Sequence, residues 1–484
     1  MKVDDSYLDD LLVRLNSVIG EPGGRTATRE APRESSAHAA DRGTAVLDEP
    51  PHRETPEYSS EPAPGEFWPL APADWVGMKM TPEAAEELVL KCLFGCGTLS
   101  GREIADHIAV PFGMLNAILE DLKSNRFVAH RGAAQLGDYL YQLTESGMET
   151  AARYMAQCAY DGAAPIVLSD YVESVKAQSI HRNPPTFADI ASVFSDLVLS
   201  ETILDQVGQA IRAGHGFFLY GNSGNGKTSV AERVSRAFGQ TVWIPRSLSV
   251  DGLIIRLFDP CNHVEVPPEN KNGLYDQLKI DRRWVRIRRP TILVGGELTM
   301  DRLEVRSGTA PGVNEAPLQL KSNCGTLVID DFGRQRMKAE ELLNRWIVPL
   351  DRRYDFLNLP NGKAIQVPFD QLLIFSTNME PHDLADEAFL RRIPYKIRAL
   401  DPTEDEFREL FRREAQTVGI PYCDDAVTDL IQKHYHEAGR TLRCCHARDL
   451  LRQIKHYCEF KGLPLEMSPE RFALAVKNYF AVVG

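Results

Sequence analysis

The chain has 484 residues, of which 43% are hydrophobic and 25% charged, with a formal net charge of −13. This length accommodates two or three domains, and the negative charge argues against a broad nucleic-acid-coating surface, because phosphate binding needs excess Lys and Arg. Nine scattered cysteines, without a Cys-x-x-Cys pair or a zinc-type Cys/His spacing, favour reduced thiols in a core. No apolar run approaches the ~20 residues of a membrane span, and the N-terminus lacks a signal pattern, so we expect a cytoplasmic protein.

Residues 1–63 are predicted to form a flexible tail with one short amphipathic helix. Apolar residues recur at helical spacing within residues 1–20. Residues 21–63 are rich in Pro, Gly, Ser, Glu and Arg and bury too little apolar surface to offset the entropy of ordering. A helix on a flexible leash suggests a docking peptide for a protein partner, and a tail without a role fits the same composition.

Residues 64–160 are predicted to form a small helical domain with one hairpin. Ser100 followed by Glu103 is the signature of a helix capping box. The expected elements are helices over Pro82–Leu93, from Ser100 and over Pro111–Lys123, strands at Phe127–His130 and Tyr139–Leu143, and a helix after Thr144. This order resembles a winged helix-turn-helix.

For this winged-helix-like domain the residues favour contact with protein over contact with DNA. The third helix carries one cation, Lys123, and one amide, Asn116, together with two acids. Base readout needs several Arg, Asn or Gln side chains on an exposed face. Arg126, His130 and Arg131 on the expected wing keep DNA binding open as the alternative.

The remaining chain divides into three predicted segments. Residues 161–205 contain Pro165, Pro184 and Pro185 and are expected to be an extended connector. Residues 206–397 alternate strand and helix patterns, which predicts an α/β domain with a parallel sheet. Residues 398–484 are predicted to be helical.

A glycine-rich loop stands between a strand pattern and a helix pattern in the α/β segment. Phe217–Tyr220 is an apolar run typical of a buried strand, and a helical pattern begins directly after the loop that follows it. The loop has the form G-x-x-x-x-G-K-[ST] and consists of Gly221, Asn222, Ser223, Gly224, Asn225, Gly226, Lys227 and Thr228. Such a loop directs backbone N–H groups at phosphates. Lys227 is expected to reach the β- and γ-phosphates of ATP, and Thr228 to bind Mg²⁺.

Two further strands are expected to end at the same site. Thr326–Ile329 reads as a buried strand with Asp330 at its end, where it can hold Mg²⁺, mostly through water. Asp331 is the candidate base or orienting group for the attacking water. A third strand, Leu372–Thr377, is followed by Asn378, which can orient that water or simply begin a turn.

The order of these motifs, followed by Phe-Leu-Arg-Arg at 389–392, resembles the AAA+ family of P-loop ATPases over about residues 186–484. The resemblance implies that Asn378 is the sensor-1 residue. It implies that Arg391 or Arg392 is an arginine finger acting on the neighbouring subunit of a homo-oligomeric ring, although such a pair also fits a surface ion-pair cluster. It further implies that the C-terminal helices form a lid, in which Arg448 is favoured over Arg443 as the nucleotide contact.

The insertion before the third strand looks most like the MoxR-type branch of that family. One residue departs from the family pattern, because Asp331 stands where Glu is usual. Asp is one methylene shorter, so hydrolysis could be slow. Val250–Ile255 is a candidate pore loop and Gly296–Val305 a candidate projecting hairpin, but an ordinary core strand fits each pattern at least as well.

Three functions follow from these features. The leading one is an oligomeric ATPase that remodels a protein partner bound through the tail or the winged-helix-like domain. The second is a slowly hydrolysing nucleotide-dependent switch or scaffold. The third is a DNA-associated ATPase that uses the winged helix.

Overall fold

The computed structural model describes residues 67–134, 137–267 and 280–480, so the tail and amphipathic helix predicted for residues 1–63 lie outside the described residues. All nine cysteines lie within these ranges and are free thiols. In the described part of the chain, no helix combines the length and apolar character that crossing a membrane requires.

The strands are short and fall into several separate sheets. They are β1 (Leu99–Ser100), β2 (Val128–Ala133), β3 (Tyr139–Leu143), β4 (Ile166–Val167), β5 (Phe217–Tyr220), β6 (Thr241–Pro245), β7 (Ser247–Val250), β8 (Leu253–Arg256), β9 (Trp284–Arg288), β10 (Thr291–Val294), β11 (Arg306–Ser307), β12 (Val313–Glu315), β13 (Thr326–Ile329), β14 (Tyr354–Asn358), β15 (Ala364–Pro368), β16 (Leu372–Thr377) and β17 (Tyr395–Arg398).

The helices flank these sheets and make up most of the two ends of the described chain. They are α1 (Trp75–Met78), α2 (Pro82–Cys96), α3 (Gly101–Ile108), α4 (Phe112–Ser124), α5 (Glu145–Gln157), α6 (Leu168–Gln178), α7 (Phe187–Val193), α8 (Glu201–Ala213), α9 (Lys227–Arg233), α10 (Leu318–Lys321), α11 (Ala339–Arg352), α12 (Pro381–Leu384), α13 (Glu387–Leu390), α14 (Glu404–Val418), α15 (Asp424–Ile431), α16 (Cys444–Lys461) and α17 (Pro469–Tyr479).

A five-stranded sheet forms the centre of the α/β region, with strand order β10-β13-β16-β5-β17. Every neighbouring pair is parallel. The inner strands β13 and β16 are buried along their whole length, as expected of a parallel sheet covered on both faces. The predicted α/β class with a parallel sheet is therefore confirmed. Because the strands run in one direction, the loops after β5, β13 and β16 meet at one edge.

A second five-stranded sheet, with order β11-β12-β8-β7-β4, stands apart from the central sheet. The candidate pore loop Val250–Ile255 spans the last residue of β7, the turn and the first three residues of β8, which pair as a hairpin, so the strand interpretation holds there. At Gly296–Val305 both predicted alternatives are wrong, because the segment forms neither a hairpin nor a core strand. That segment contains a 3₁₀ turn, Met300–Leu303, and it buries Leu298 and Leu303 completely, so its apolar residues serve the core.

The N-terminal helical unit, which consists of α1 to α5 and β1 to β3, contains the helices and the hairpin expected from the sequence together with the additional α1 and β1. Its three strands form a sheet of order β1-β3-β2. The capping box is present, since Ser100 Oγ accepts a hydrogen bond from the Glu103 N–H at 3.2 Å and Glu103 Oε2 accepts one from the Ser100 N–H at 2.7 Å. The unit also shares its core with the second sheet, because Ile254 and Val313 pack against its buried side chains.

Residues 161–205 are folded, so the expectation of an extended connector is wrong. They contain β4, α6, α7 and the start of α8. The β4 strand pairs with β7, and the buried Tyr171 hydroxyl on α6 donates a hydrogen bond to the Leu320 carbonyl at 3.1 Å. The prolines that suggested an extended chain lie between these elements, where they do not interrupt hydrogen bonding.

Helices α14 to α17 form the C-terminal region around their own apolar core. A capping box of Thr403 and Glu406 starts α14. Phe407 and Phe411 are fully buried on one face of that helix and contact each other edge to face. The predicted helical character of residues 398–484 is confirmed for the described residues up to 480.

Candidate nucleotide-binding site

The loop Gly221–Gly226 lies at the carboxyl end of β5 and leads directly into α9. Gly221, Gly224 and Gly226 all have positive φ, a conformation that glycine adopts without a Cβ penalty. At Gly226 a Cβ would meet no atom within 4 Å. The backbone at Gly226 therefore faces open space, as a phosphate cradle requires, whereas a Cβ at Gly221 would lie 2.6 Å from the Ala399 carbonyl oxygen and one at Gly224 2.5 Å from Cys445 Sγ.

The Lys227 side chain crosses this loop. Its Nζ donates hydrogen bonds to the carbonyl oxygens of Gly221 and Asn222, each at 2.9 Å, and to Oδ1 of Asn378 at 2.7 Å. Burial lowers the pKa of Lys227, while the charges of Asp330 and Asp331 oppose that shift. The ammonium thus lies between the loop and the end of β16, and its partners are groups that a phosphate can replace.

A pair of oxygen ligands lies on the other side of the loop. Thr228 Oγ1 donates a hydrogen bond to Asp330 Oδ2 at 2.9 Å. A hydroxyl and a carboxylate so placed are the protein ligands expected for Mg²⁺ in a phosphate site. Asp330 also accepts a hydrogen bond from the Asp331 N–H at 3.1 Å, which fixes the turn after β13.

Asp331 has a local reason to be aspartate. Its φ is +48°, in the left-handed region. Asp tolerates this region better than residues with longer side chains, because its short carboxylate bonds to nearby backbone. The side chain is exposed and lines the same cavity as Lys227, Thr228 and Asn378.

The helical C-terminal region closes one side of this cavity. The backbone N–H of Cys445, in the first turn of α16, donates a hydrogen bond to the Gly224 carbonyl at 2.8 Å. Arg448, one turn further along, lines the cavity and its Nε bonds to Asp449 at 3.0 Å. Arg443 pairs with Asp401 and its Cβ lies 3.7 Å from the position of a Cβ on Gly224, so both arginines lie close to the loop, but of the two only Arg448 lines the cavity.

Sequence reasoning missed Asp401. Its carboxylate accepts hydrogen bonds from Nδ2 of Asn222 at 3.1 Å, from Nδ2 of Asn225 at 2.7 Å and from Nη1 of Arg443 at 3.1 Å. Asp401 therefore links the loop Gly221–Gly226, here called the phosphate loop, to Arg443, the residue before α16. The only local signal was the capping box that starts two residues later, and that signal indicates a helix start rather than a contact with a loop 176 residues away.

The two arginines after α13 differ in their surroundings. Arg392 is held by Asp351 on α11, with Nε 2.9 Å from both carboxylate oxygens. Arg391 is exposed, and within the described chain its side chain has no ion pair. The interpretation as an ion-pair residue thus holds for Arg392, while the Arg391 side chain is exposed.

The residues present fit a nucleoside triphosphate with Mg²⁺. The cavity has a volume of about 410 Å³, within the usual range of ligand sites. Its lining combines the glycine-rich loop with a lysine, a threonine–aspartate pair and Arg448. It brings together the predicted loop residues from Ser223 to Thr228 with Asp330, Asp331 and Asn378, although these lie on three separate strand ends.

Comparisons with known proteins give distant likenesses. Residues 403–478 match a family described only as a domain of unknown function, DUF8689. Among solved structures, NtrX from Brucella abortus is 13% identical, with 59% of this chain and 56% of NtrX covered at a TM-score of 0.37. The Thermotoga maritima RuvB Holliday junction branch migration motor is 15% identical, with 58% of this chain and 69% of RuvB covered at a TM-score of 0.33. No curated protein matches the chain in sequence.

Proposed function

We propose that this protein is an ATPase of the AAA+ type that uses Mg²⁺ and hydrolyses ATP at the cavity between the central sheet and α16. The observation that carries the proposal is the hydrogen bond from Lys227 to Asn378, which lies across the phosphate loop from the Thr228–Asp330 pair. Phosphoryl transfer needs a lysine, a pair of metal-binding oxygen ligands and a polar side chain that orients water, and here all three surround one glycine-rich loop.

Each residue has a role in this chemistry. Thr228 and Asp330 would hold Mg²⁺, which when bound would supply neutralisation of charge on the phosphates. Lys227 exchanges its carbonyl partners and Asn378 Oδ1 for phosphate oxygens, and the Asn378 side chain is then free to orient the attacking water. Asp331 accepts a proton from that water or orients the water. Arg448 on α16 adds positive charge to the cavity. Because ATP then contacts both α16 and the phosphate loop, its binding also holds the helical C-terminal region against the loop.

The Asp331→Asn variant tests this assignment. Asn keeps the size and the tolerance of a left-handed φ but cannot act as a base, so we expect turnover to fall by about 10²–10⁴-fold with nucleotide affinity nearly unchanged. Asp383→Asn, at an exposed aspartate outside the cavity, is the control. If Asp331→Asn turns over ATP as fast as this control, Asp331 has no part in hydrolysis.

We further propose that the active site is completed by a neighbouring chain, with Arg391 as the finger. Its exposure and the absence of an ion pair in the described chain support this choice over Arg392. Specific activity should then rise with protein concentration. Mixtures of Arg391→Ala and Lys227→Ala chains should partly recover turnover, because each lacks what the other supplies. Arg352→Ala, at an exposed arginine on α11, should keep full activity alone. No recovery at any mixing ratio would argue against a shared site.

The biological output we favour is remodelling of a protein partner that binds the N-terminal helical unit, which we interpret as a winged-helix-like domain. The exposed face of α4 favours a protein partner over DNA, because it carries the acidic Glu120 and Asp121 beside Lys123. Retention on duplex DNA that weakens steeply with salt would favour the DNA-associated alternative. Tight nucleotide binding with negligible turnover at all concentrations would favour the switch or scaffold. The MoxR-type resemblance stays a prediction.

A further inference from the structure

Three side chains able to bind a metal converge at one corner of the N-terminal helical unit, away from the nucleotide cavity. Cys92 and Cys96 lie on α2 and His107 lies at the end of α3. Their potential ligand atoms all lie within 4.8 Å of one another. The two cysteines are four residues apart and therefore occupy the same helix face, and the α2–α3 packing brings the imidazole to them.

The spacing of these atoms matches a small, thiophilic cation. Zn²⁺ binds Cys sulfur at about 2.3 Å and His nitrogen at about 2.0–2.1 Å, so the ligands of a tetrahedral site lie about 3.5–3.8 Å apart. The three ligand atoms are already within roughly 1 Å of that separation. Rotation of exposed side chains can supply the rest, since Cys96 and His107 are both exposed while Cys92 is buried.

A disulfide does not account for the pair. Side chains at positions i and i+4 of a helix have Cβ atoms about 5–6 Å apart, whereas a disulfide needs about 3.5–4.5 Å. A bond between the two sulfurs would therefore distort α2. A metal ion bridges the same gap without moving the helix.

The surroundings favour a cation. Asp161 lies beside the end of α2, with one carboxylate oxygen 3.5 Å from the position of a Cβ on Gly95. The carboxylate adds negative charge near the two sulfurs. Asp161 also belongs to the segment that leads from α5 to the second sheet, where Tyr160 OH and Ser247 Oγ lie 2.8 Å apart. An ion at this corner thus lies next to the junction between the helical unit and the rest of the chain.

We propose that Cys92, Cys96 and His107 form a zinc site, with the fourth position open to solvent. The thiols that bind release their protons to solvent, and the imidazole binds as the neutral base. The ion ties α2 to α3 at the junction and stabilises the orientation of the N-terminal helical unit. This proposal does not depend on the ATPase assignment.

The test uses the full chain purified without a histidine tag and kept reduced. Bound zinc is measured by elemental analysis, and the protein is then stripped with a chelator and reloaded with Co²⁺, whose thiolate bonds give a charge-transfer absorption. Cys96→Ser and His107→Gln change exposed ligands and leave the buried Cys92 in place. Cys261→Ser and His382→Gln are matched controls at exposed residues outside the cluster.

We expect the wild type and both controls to retain one zinc per chain and to show the cobalt–thiolate band. Cys96→Ser should show a weaker band, and both ligand variants should carry less than one zinc per chain as purified. The melting temperature of the chelator-stripped wild type should rise with added zinc, because the ion binds the folded state, while that of stripped Cys96→Ser should not. An untagged wild type that holds no zinc and gives no charge-transfer band would overturn the proposal. A band in Cys96→Ser and His107→Gln as strong as in the controls would also overturn it.

Discussion

Removal of the Asp401 carboxylate tests how the helical C-terminal region supports the phosphate loop. In the Asp401→Ala variant, Asn222 and Asn225 lose the acceptor that holds their side chains, and Arg443 loses its ion pair. The loop then keeps its glycine conformations but is no longer tied to the residue before α16. We expect ATP to bind more weakly because part of its binding energy must order the loop.

The size of the effect follows from the exposure of these groups. Hydrogen bonds to charged groups contribute about 1.5–3 kcal/mol when protected from water. The Arg443 and Asp401 side chains are 22% and 30% exposed, so solvent screening lowers their pair toward the ~1 kcal/mol of surface ion pairs. At about 0.5–1 kcal/mol for each of the three screened interactions, the total is about 1.5–3 kcal/mol, which corresponds to roughly 10- to 150-fold weaker nucleotide binding.

Equilibrium titration with a fluorescent ATP analogue measures this change directly. Asp405→Ala is the matched control, because Asp405 is an exposed aspartate in the first turn of α14 and its removal changes the net charge equally. Thermal melts of both variants show whether the fold is intact. Equal affinities for the two variants would refute the view that Asp401 holds the loop in its binding conformation.

Three further predictions concern the same region. Lys227→Ala should abolish ATP turnover, and activity at the wild-type level would refute the site. Gly224→Ala should impair nucleotide binding, since its Cβ would lie 2.5 Å from Cys445 Sγ at a φ of +88°, whereas Gly362→Ala, with similar φ but no neighbour, should lower only stability. Burial is the main cause that lowers the pKa of His446 from 6.5 to about 4. Between pH 6.5 and pH 4 the imidazole therefore binds a proton in the unfolded chain but not in the folded one, so the free energy of unfolding should fall as the pH drops through this range. His446→Asn should flatten this dependence in thermal melts, and an unchanged slope would contradict the assignment.

Local sequence signals predicted the elements of the fold well. Ser100 and Glu103 predicted a capped helix, and short apolar runs predicted β5, β13 and β16. Both predictions succeeded because capping and strand burial depend on residues close together in the chain. The expectation of an extended chain at residues 161–205 failed for the opposite reason. Its elements are stabilised by distant partners, such as Leu320 for Tyr171, that local pattern does not show.

The candidate site divides in the same way. The residues of the phosphate loop, Asp330 and Asn378 could be named in advance, because a glycine-rich motif and strand-ending polar residues have fixed places relative to a parallel sheet. The choice between Arg391 and Arg392 needed the position of Asp351, 41 residues away. Asp401 could not be found from the sequence, because nothing in its neighbours indicates contact with the loop.

The sequence by itself determined the secondary structure near each motif, the parallel character of the central sheet and the place of the glycine-rich loop between β5 and α9, since these follow from residue types at short spacing. Only the tertiary structure decided which distant groups meet. It placed Cys445 and Arg448 at the nucleotide cavity and brought His107 to the two cysteines of α2. The physical reason is that these contacts depend on how elements pack, and packing is decided by the whole buried surface rather than by a local pattern.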